Sequence, residues 1–201
     1  AMIGSYVLTF QIYLAMPLHA AFLAPQHASA LIAAMFVVSG AVAVTAQLRI
    51  TRWFSDRWGS SRSLIIGMTV IALSFAPLIL VPDNRFGTAA AIGALLVTTA
   101  VLAIGSAAVF PFEMDTVVAL SGGRLVGTHY GFYSTIVGVG ILAGNVATGA
   151  LVQAARQQGL DALVWAALAA IGLLSAAALR SLARNGHLQQ GGPRPVVDAV
   201  G

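Results

Sequence analysis

Two residue types are missing outright from this 201-residue chain, cysteine and lysine. Without cysteine there is no disulfide, no thiolate metal site and no thiol nucleophile. Charge is scarce too, with charged residues at 8% of the chain against about 25% in an ordinary soluble domain. So little polar surface cannot wet a folded chain of this size. With hydrophobic residues at 59% and a mean hydropathy of +0.90, the composition is that of an integral membrane protein. The length of 201 residues accommodates about six spans of roughly 20 residues with short connections. The fold class expected is an all-α membrane protein of six transmembrane helices.

Apolar runs place those spans at about 2–23, 28–48, 63–81, 88–110, 127–154 and 160–182. Turn clusters separate them, Pro82 to Gly87 and Ser121 to Arg124 among them. One six-helix bundle over 1–183 and a disordered cytoplasmic tail over 184–201 complete the domain reading. The start, Ala1-Met-Ile-Gly-Ser-Tyr6, enters apolar sequence without a basic region or a cleavage site, so it is not a secretory signal. Met2 either begins a natural chain or the sequence is a segment of a longer one.

All ten basic residues are arginine, and six acids leave a formal charge of +4. The arginines sit at the ends of apolar runs, which suits anionic headgroups and a positive-inside bias better than nucleic acid. Four of them, Arg49, Arg52, Arg57 and Arg62, fall in one stretch between the second and third spans. With alternate spans counted from there, eight arginines lie on that side and two, Arg85 and Arg156, on the other. The arginine-rich side is therefore expected to be cytoplasmic, with both termini of the segment there, in a plasma (inner) membrane.

Polar residues inside spans are costly in lipid and face other helices or a watery cavity. The first span holds Gln11, Tyr13, Pro17 and His19, and the fourth holds Thr98 and Thr99. Gln11, Tyr13, His19, Thr98 and Thr99 are the candidate cavity residues; helix-to-helix hydrogen bonding is the competing reading for each. No carboxylate falls in the middle of a span. Glu113 and Asp115 lie at the end of the fourth and are expected to act as gate or capping groups answering Arg57 or Arg62. His19 is a lone histidine, more often a packing residue than a proton carrier.

Two motifs support a family resemblance. Asp56-Arg-Trp-Gly59, followed by Arg62, resembles the cytoplasmic loop signature of the major facilitator superfamily. It departs from that signature at Arg52, where a glycine would lead, at Ser60, and in the late placement of Arg62. In the fifth span, Gly131, Gly140, Gly144, Asn145 and Gly149 have the spacing of the glycine-rich antiporter signature, with Asn145 in place of proline and Ala150 in place of the last glycine. The run from Arg124 to Ser134 is similar to the entry of the penultimate helix in drug:proton antiporters. The resemblance implies one carboxy-terminal six-helix half of a twelve-helix secondary transporter. Asp56, Arg57, Gly59 and Arg62 would belong to its cytoplasmic gate, with Glu113 and Asp115. The first and fourth spans would line the cavity, the second and fifth would rock against the other half, and the third and sixth would face lipid. The glycines of the fifth span would pack helices closely, by default against the amino-terminal half. Proton-coupled efflux of small hydrophobic or amphipathic compounds is the implied function, with the main proton carrier expected in the other half.

Two other classes compete. An intramembrane serine protease would need Gly-x-Ser-Gly, and Val37-Val-Ser-Gly40 lacks the first glycine; no zinc or cofactor motif is present either. Enzyme activity is therefore not expected. A natural six-span protein that dimerises into a pore or pseudo-transporter is the remaining alternative.

Overall fold

A computed structural model describes residues 2–81, 86–121 and 125–184. Residues 82–85 of the turn expected from Pro82 to Gly87, most of the turn at 121–124 and the tail beyond 184 lie outside the described residues. In chain order the elements are α1 (Met2–Thr9), a 3-10 turn at Phe10–Tyr13, α2 (Ala15–Leu23), a second 3-10 turn at Pro25–His27, α3 (Ala28–Leu73), α4 (Ala76–Leu80), α5 (Thr88–Leu120), α6 (Val126–Gln157) and α7 (Asp161–Arg184). Five helical stretches among the described residues are long and apolar enough to cross a membrane: Met2–Leu23, Pro25–Leu80, Thr88–Val118, Val126–Gln157 and Asp161–Arg184.

The second stretch, 56 residues long, far exceeds the roughly 20 that one crossing needs. It bends at Gly59, whose backbone (φ 70°, ψ 171°) is not helical and which glycine adopts without a Cβ penalty. Ser63 Oγ donates to the carbonyl of Phe54, nine residues earlier, at 2.9 Å. Nine residues of straight helix rise roughly 13 Å, so that bond requires the chain to fold back. The sequence reading placed a loop over 49–62; the structure instead has helix on both sides of a single glycine. Trp53, Phe54 and Trp58 pack edge-on at ring separations of 4.7 to 5.3 Å and brace the arm that leads into the bend.

Prolines account for the other irregularities. Pro17 has no N–H for the carbonyl of Tyr13 four residues back. There the helix gives way to the 3-10 turn and to Leu14 (φ −127°, ψ −77°), near the middle of the first stretch. Pro77 likewise cannot satisfy Leu73, where α3 ends. Pro111 lies inside α5 without breaking it. The carbonyl it leaves unbonded, that of Ala107, accepts a hydrogen bond from Thr51 Oγ1 of α3 at 3.2 Å.

The core runs along the second arm of α3. Leu64, Met68 and Ile71 are buried there, with Phe75 just beyond its end, against Leu95 and Leu102 of α5 and Leu168 of α7. Close approach explains the position. A Cβ on Gly105 would meet the Ile71 nitrogen at 3.0 Å and the Gly67 oxygen at 3.3 Å, and one on Gly172 would meet the Ala72 Cα at 2.9 Å. The third span is thus the packing centre and not a peripheral helix as expected. Helix α7 buries a stripe including Val164, Leu168, Ala176 and Leu179, and exposes Leu173 and Leu174. Helix α6 and the first arm of α3 are the least covered, with Val44, Leu48, Phe132, Val139, Leu142 and Val146 all exposed.

Candidate functional site

The break in the first stretch opens onto a groove. Thr9, Ile12 and Tyr13 form one side, Ser39, Ala43 and Gln47 of α3 a second, and Leu102, Ala103, Ser106, Ala107 and Phe110 of α5 the floor, around a volume of about 190 Å³. The i, i+4 spacing of Ser39, Ala43 and Gln47 puts them on one helix face. Thr9 Oγ1 and Ser106 Oγ lie 3.0 Å apart and tie the two inner walls together. Tyr13 is 63% exposed and continues an aromatic chain from Phe10 (5.5 Å) to Phe36 (5.7 Å). Few polar groups on a mostly apolar wall, beside a helix broken near mid-span, is the arrangement by which membrane bundles hold a ligand.

Of the five residues expected to line a cavity, only Tyr13 is on this wall. Gln11 is fully buried; its Nε2 donates to the carbonyl of Val7 (2.7 Å) and to Asn145 Oδ1 (3.3 Å), linking the first stretch to α6. Thr98 and Thr99 are fully buried as well, and Thr99 Oγ1 donates to its own helix at Leu95 (2.9 Å). They turn into the bundle because the face of α5 that carries them packs against the core. His19 lies near the opposite end from Gly59, edge-on to Trp165 at 5.2 Å and close to an ion pair between Arg156 and Asp161 at 4.0 Å. Arg156 also sits 3.1 Å over the ring of Phe22.

Glu113 is 1% exposed and does not answer Arg57 or Arg62. Ser5 Oγ donates to its Oε1 at 2.5 Å. Its Oε2 and the Tyr133 hydroxyl are both buried without a hydrogen-bond partner. Tyr6 completes the cluster, stacked on Phe110 at 5.0 Å and edge-on to Tyr133 at 6.2 Å. A serine of α1, a glutamate of α5 and a tyrosine of α6 thus meet at one buried point. Asp56, Arg57, Arg62 and Asp115 are exposed, and none of them forms an ion pair among the described residues. Gly59 is the bend itself.

The glycines of α6 divide between two sides. Gly131 and Gly149 are eighteen residues apart, five turns of about 3.6, and have nothing within 4 Å of a built Cβ. Gly140 and Gly144 lie roughly half a turn round and pack on Ile3 and Val7 of α1. The close packing that the sequence suggested is thus, for these two, within the bundle. Thr9, Ser39, Gln47 and Ser106 were missed because single hydroxyls and amides in apolar runs do not reveal which face they occupy. The stripe 39, 43, 47 was the available signal.

Comparison with known proteins agrees with the helical architecture. The model of the Major Facilitator Superfamily matches residues 1–198. An uncharacterized MFS-type transporter of Mycobacterium tuberculosis is 57% identical over 183 residues, which is 90% of this chain and 44% of the relative. The multidrug resistance protein MdtH of Sodalis glossinidius is 26% identical over 172 residues, 86% of this chain and 40% of that protein. MdtH of Klebsiella pneumoniae is 25% identical over 176 residues, 88% and 41% respectively. The chain therefore spans less than half the length of these relatives. No solved structure matches it.

Proposed function

Because the chain belongs to the Major Facilitator Superfamily, we propose that it works as the carboxy-terminal half of a secondary active transporter, exporting small hydrophobic or amphipathic compounds by alternating access. In this reading Gly59 divides the 56-residue stretch into two crossings, giving six, and the arginine-rich end is cytoplasmic in the inner membrane. The observation that carries it is the groove. Its volume of about 190 Å³ falls below the roughly 300–1,000 Å³ of a site that encloses a drug-sized ligand. One wall is what a half would contribute. The uncovered apolar faces of α6 and the first arm of α3 flank that wall, where an amino-terminal half would dock and rock, and the open side of Gly131 and Gly149 would allow close approach. MdtH, a multidrug resistance protein by name, supports the substrate class.

Glu113 supports proton coupling within this half. Acids buried in a membrane bundle mark ion pathways and proton relays, and no cation pairs with this one among the described residues. Ionised, its carboxylate accepts from Ser5 and can accept from the Tyr133 hydroxyl as well; protonated, one of its oxygens becomes a donor and can no longer serve both in the same way. That exchange changes how α1, α5 and α6 are tied together at the end where a cytoplasmic gate would open.

Transport assays test the reading. Flux of a lipophilic dye should be absent for the 201-residue chain alone and restored by co-expression with an amino-terminal six-helix half. Flux by the purified chain alone would overturn it and favour a dimer of six-span subunits.

A further inference from the structure

A second cavity, of about 710 Å³, lies far from the groove, between the Gly59 bend and the last turns of α7. Its polar rim consists of Arg62, Arg180, Arg184, Ser60 and Ser61. Among the described residues no acid lines it, and none of the three arginines forms an ion pair with another of them. Arg180 and Arg184 are four residues apart on one helix, so their guanidinium groups share a face and repel each other. Arg62 brings a third positive charge across from α3. Three cations around one cavity, with no counter-charge among the described residues, define a site for an anion, and the guanidinium fork matches the oxygens of a phosphate.

The rest of the lining identifies what carries that phosphate. Ile65, Ile66 and Ala183 form an apolar floor, and Trp58 offers the amphipathic ring typical of a membrane interface. A cavity this large has room for far more than a free phosphate ion. Charge at the rim and hydrocarbon below reproduce the order of headgroup and acyl chain in a leaflet. We infer that Arg62, Arg180 and Arg184 bind the headgroup of an anionic glycerophospholipid, which bridges α3 at the Gly59 bend to the end of α7. Zwitterionic lipids carry the same phosphate, but their ammonium meets three arginines and is rejected. The inference depends on the chain being a membrane protein and not on what it transports.

Native mass spectrometry of the purified chain in detergent, titrated with phosphatidylglycerol or phosphatidylcholine, tests it. Phosphatidylglycerol adducts should form at least about tenfold more tightly than phosphatidylcholine adducts, and should weaken with added salt. The double variant Arg180→Gln/Arg184→Gln should lose that preference. The control Arg49→Gln/Arg57→Gln removes the same charge outside the cavity and should retain it. Arg62→Gln alone provides the same reading if the double variant fails to fold. Equal binding of the two lipids, or an equal loss in both double variants, would overturn the assignment in favour of general surface charge. Competition by inorganic phosphate at the concentration of the lipid would also contradict it, by removing the need for an acyl chain.

Discussion

Thr51 of α3 and Pro111 of α5 should be energetically coupled through one carbonyl, that of Ala107. Pro111 cannot bond the carbonyl of Ala107, and Thr51 Oγ1 does so from α3 at 3.2 Å. Thr51→Val removes the donor at almost constant volume. A net hydrogen bond is worth about 0.5–1.5 kcal/mol, and a buried group left unbonded costs about 1–3 kcal/mol. Bonds between membrane helices average about 0.6 kcal/mol. Ala107 lines the open groove, so on the proposed reading water can partly replace the lost donor, and a loss of about 1 kcal/mol is expected, in the lower part of the range. Pro111→Ala restores an N–H four residues after Ala107, and in that background Thr51→Val should cost close to nothing. Reversible unfolding of all four proteins in mixed micelles of rising dodecyl sulfate content measures the cycle, with an expected coupling of about 1 kcal/mol. An equal cost of Thr51→Val in both backgrounds would refute the reasoning, because the threonine would then not be serving the carbonyl that proline leaves.

Glycine positions should separate sharply. Gly105→Val places atoms against the backbone of Ile71 and Gly67 and should destabilise by about 1–3 kcal/mol in the same unfolding assay. Gly149→Ala, in open space, should stay within about 0.5 kcal/mol. For Glu113, Glu113→Gln keeps an acceptor for Ser5 but cannot exchange a proton. In the transporter assembled with its other half, it should leave substrate binding in place and abolish the dependence of flux on the pH gradient. Flux that still followed the gradient would remove Glu113 from the coupling.

The positions of the apolar stretches were legible because arginine, glycine and proline punctuate them. The Gly59 reversal was legible as a turn, but its length was misjudged. Nothing polar between Arg49 and Trp58 breaks a helix, so the helix runs on to Gly59, the first residue that permits the bend. Glu113 was visible only as an acid at a span end. Its meaning depends on Ser5, 108 residues away in sequence, and on Tyr133 from a third helix, neighbours that no periodicity in α5 encodes. Thr98 and Thr99 show the converse: polarity inside a span marks a face as non-lipid without distinguishing a ligand groove from the packed interior. Pro111 was legible as a break in hydrogen bonding, whereas the residue that repairs it was not.

Water access to the groove tests the central claim most directly, and the absence of cysteine from these 201 residues means that this chain adds no background label of its own. Single replacements Gln47→Cys and Ser106→Cys on the groove wall, and Leu174→Cys on the exposed side of α7, would be labelled in membranes with a charged, water-soluble maleimide while the chain is paired with its other half. The groove cysteines should react and be protected by a lipophilic substrate, and Cys at 174 should remain unlabelled in hydrocarbon. Groove positions as unreactive as 174, or reactive but indifferent to substrate, would contradict a transport pathway along this wall.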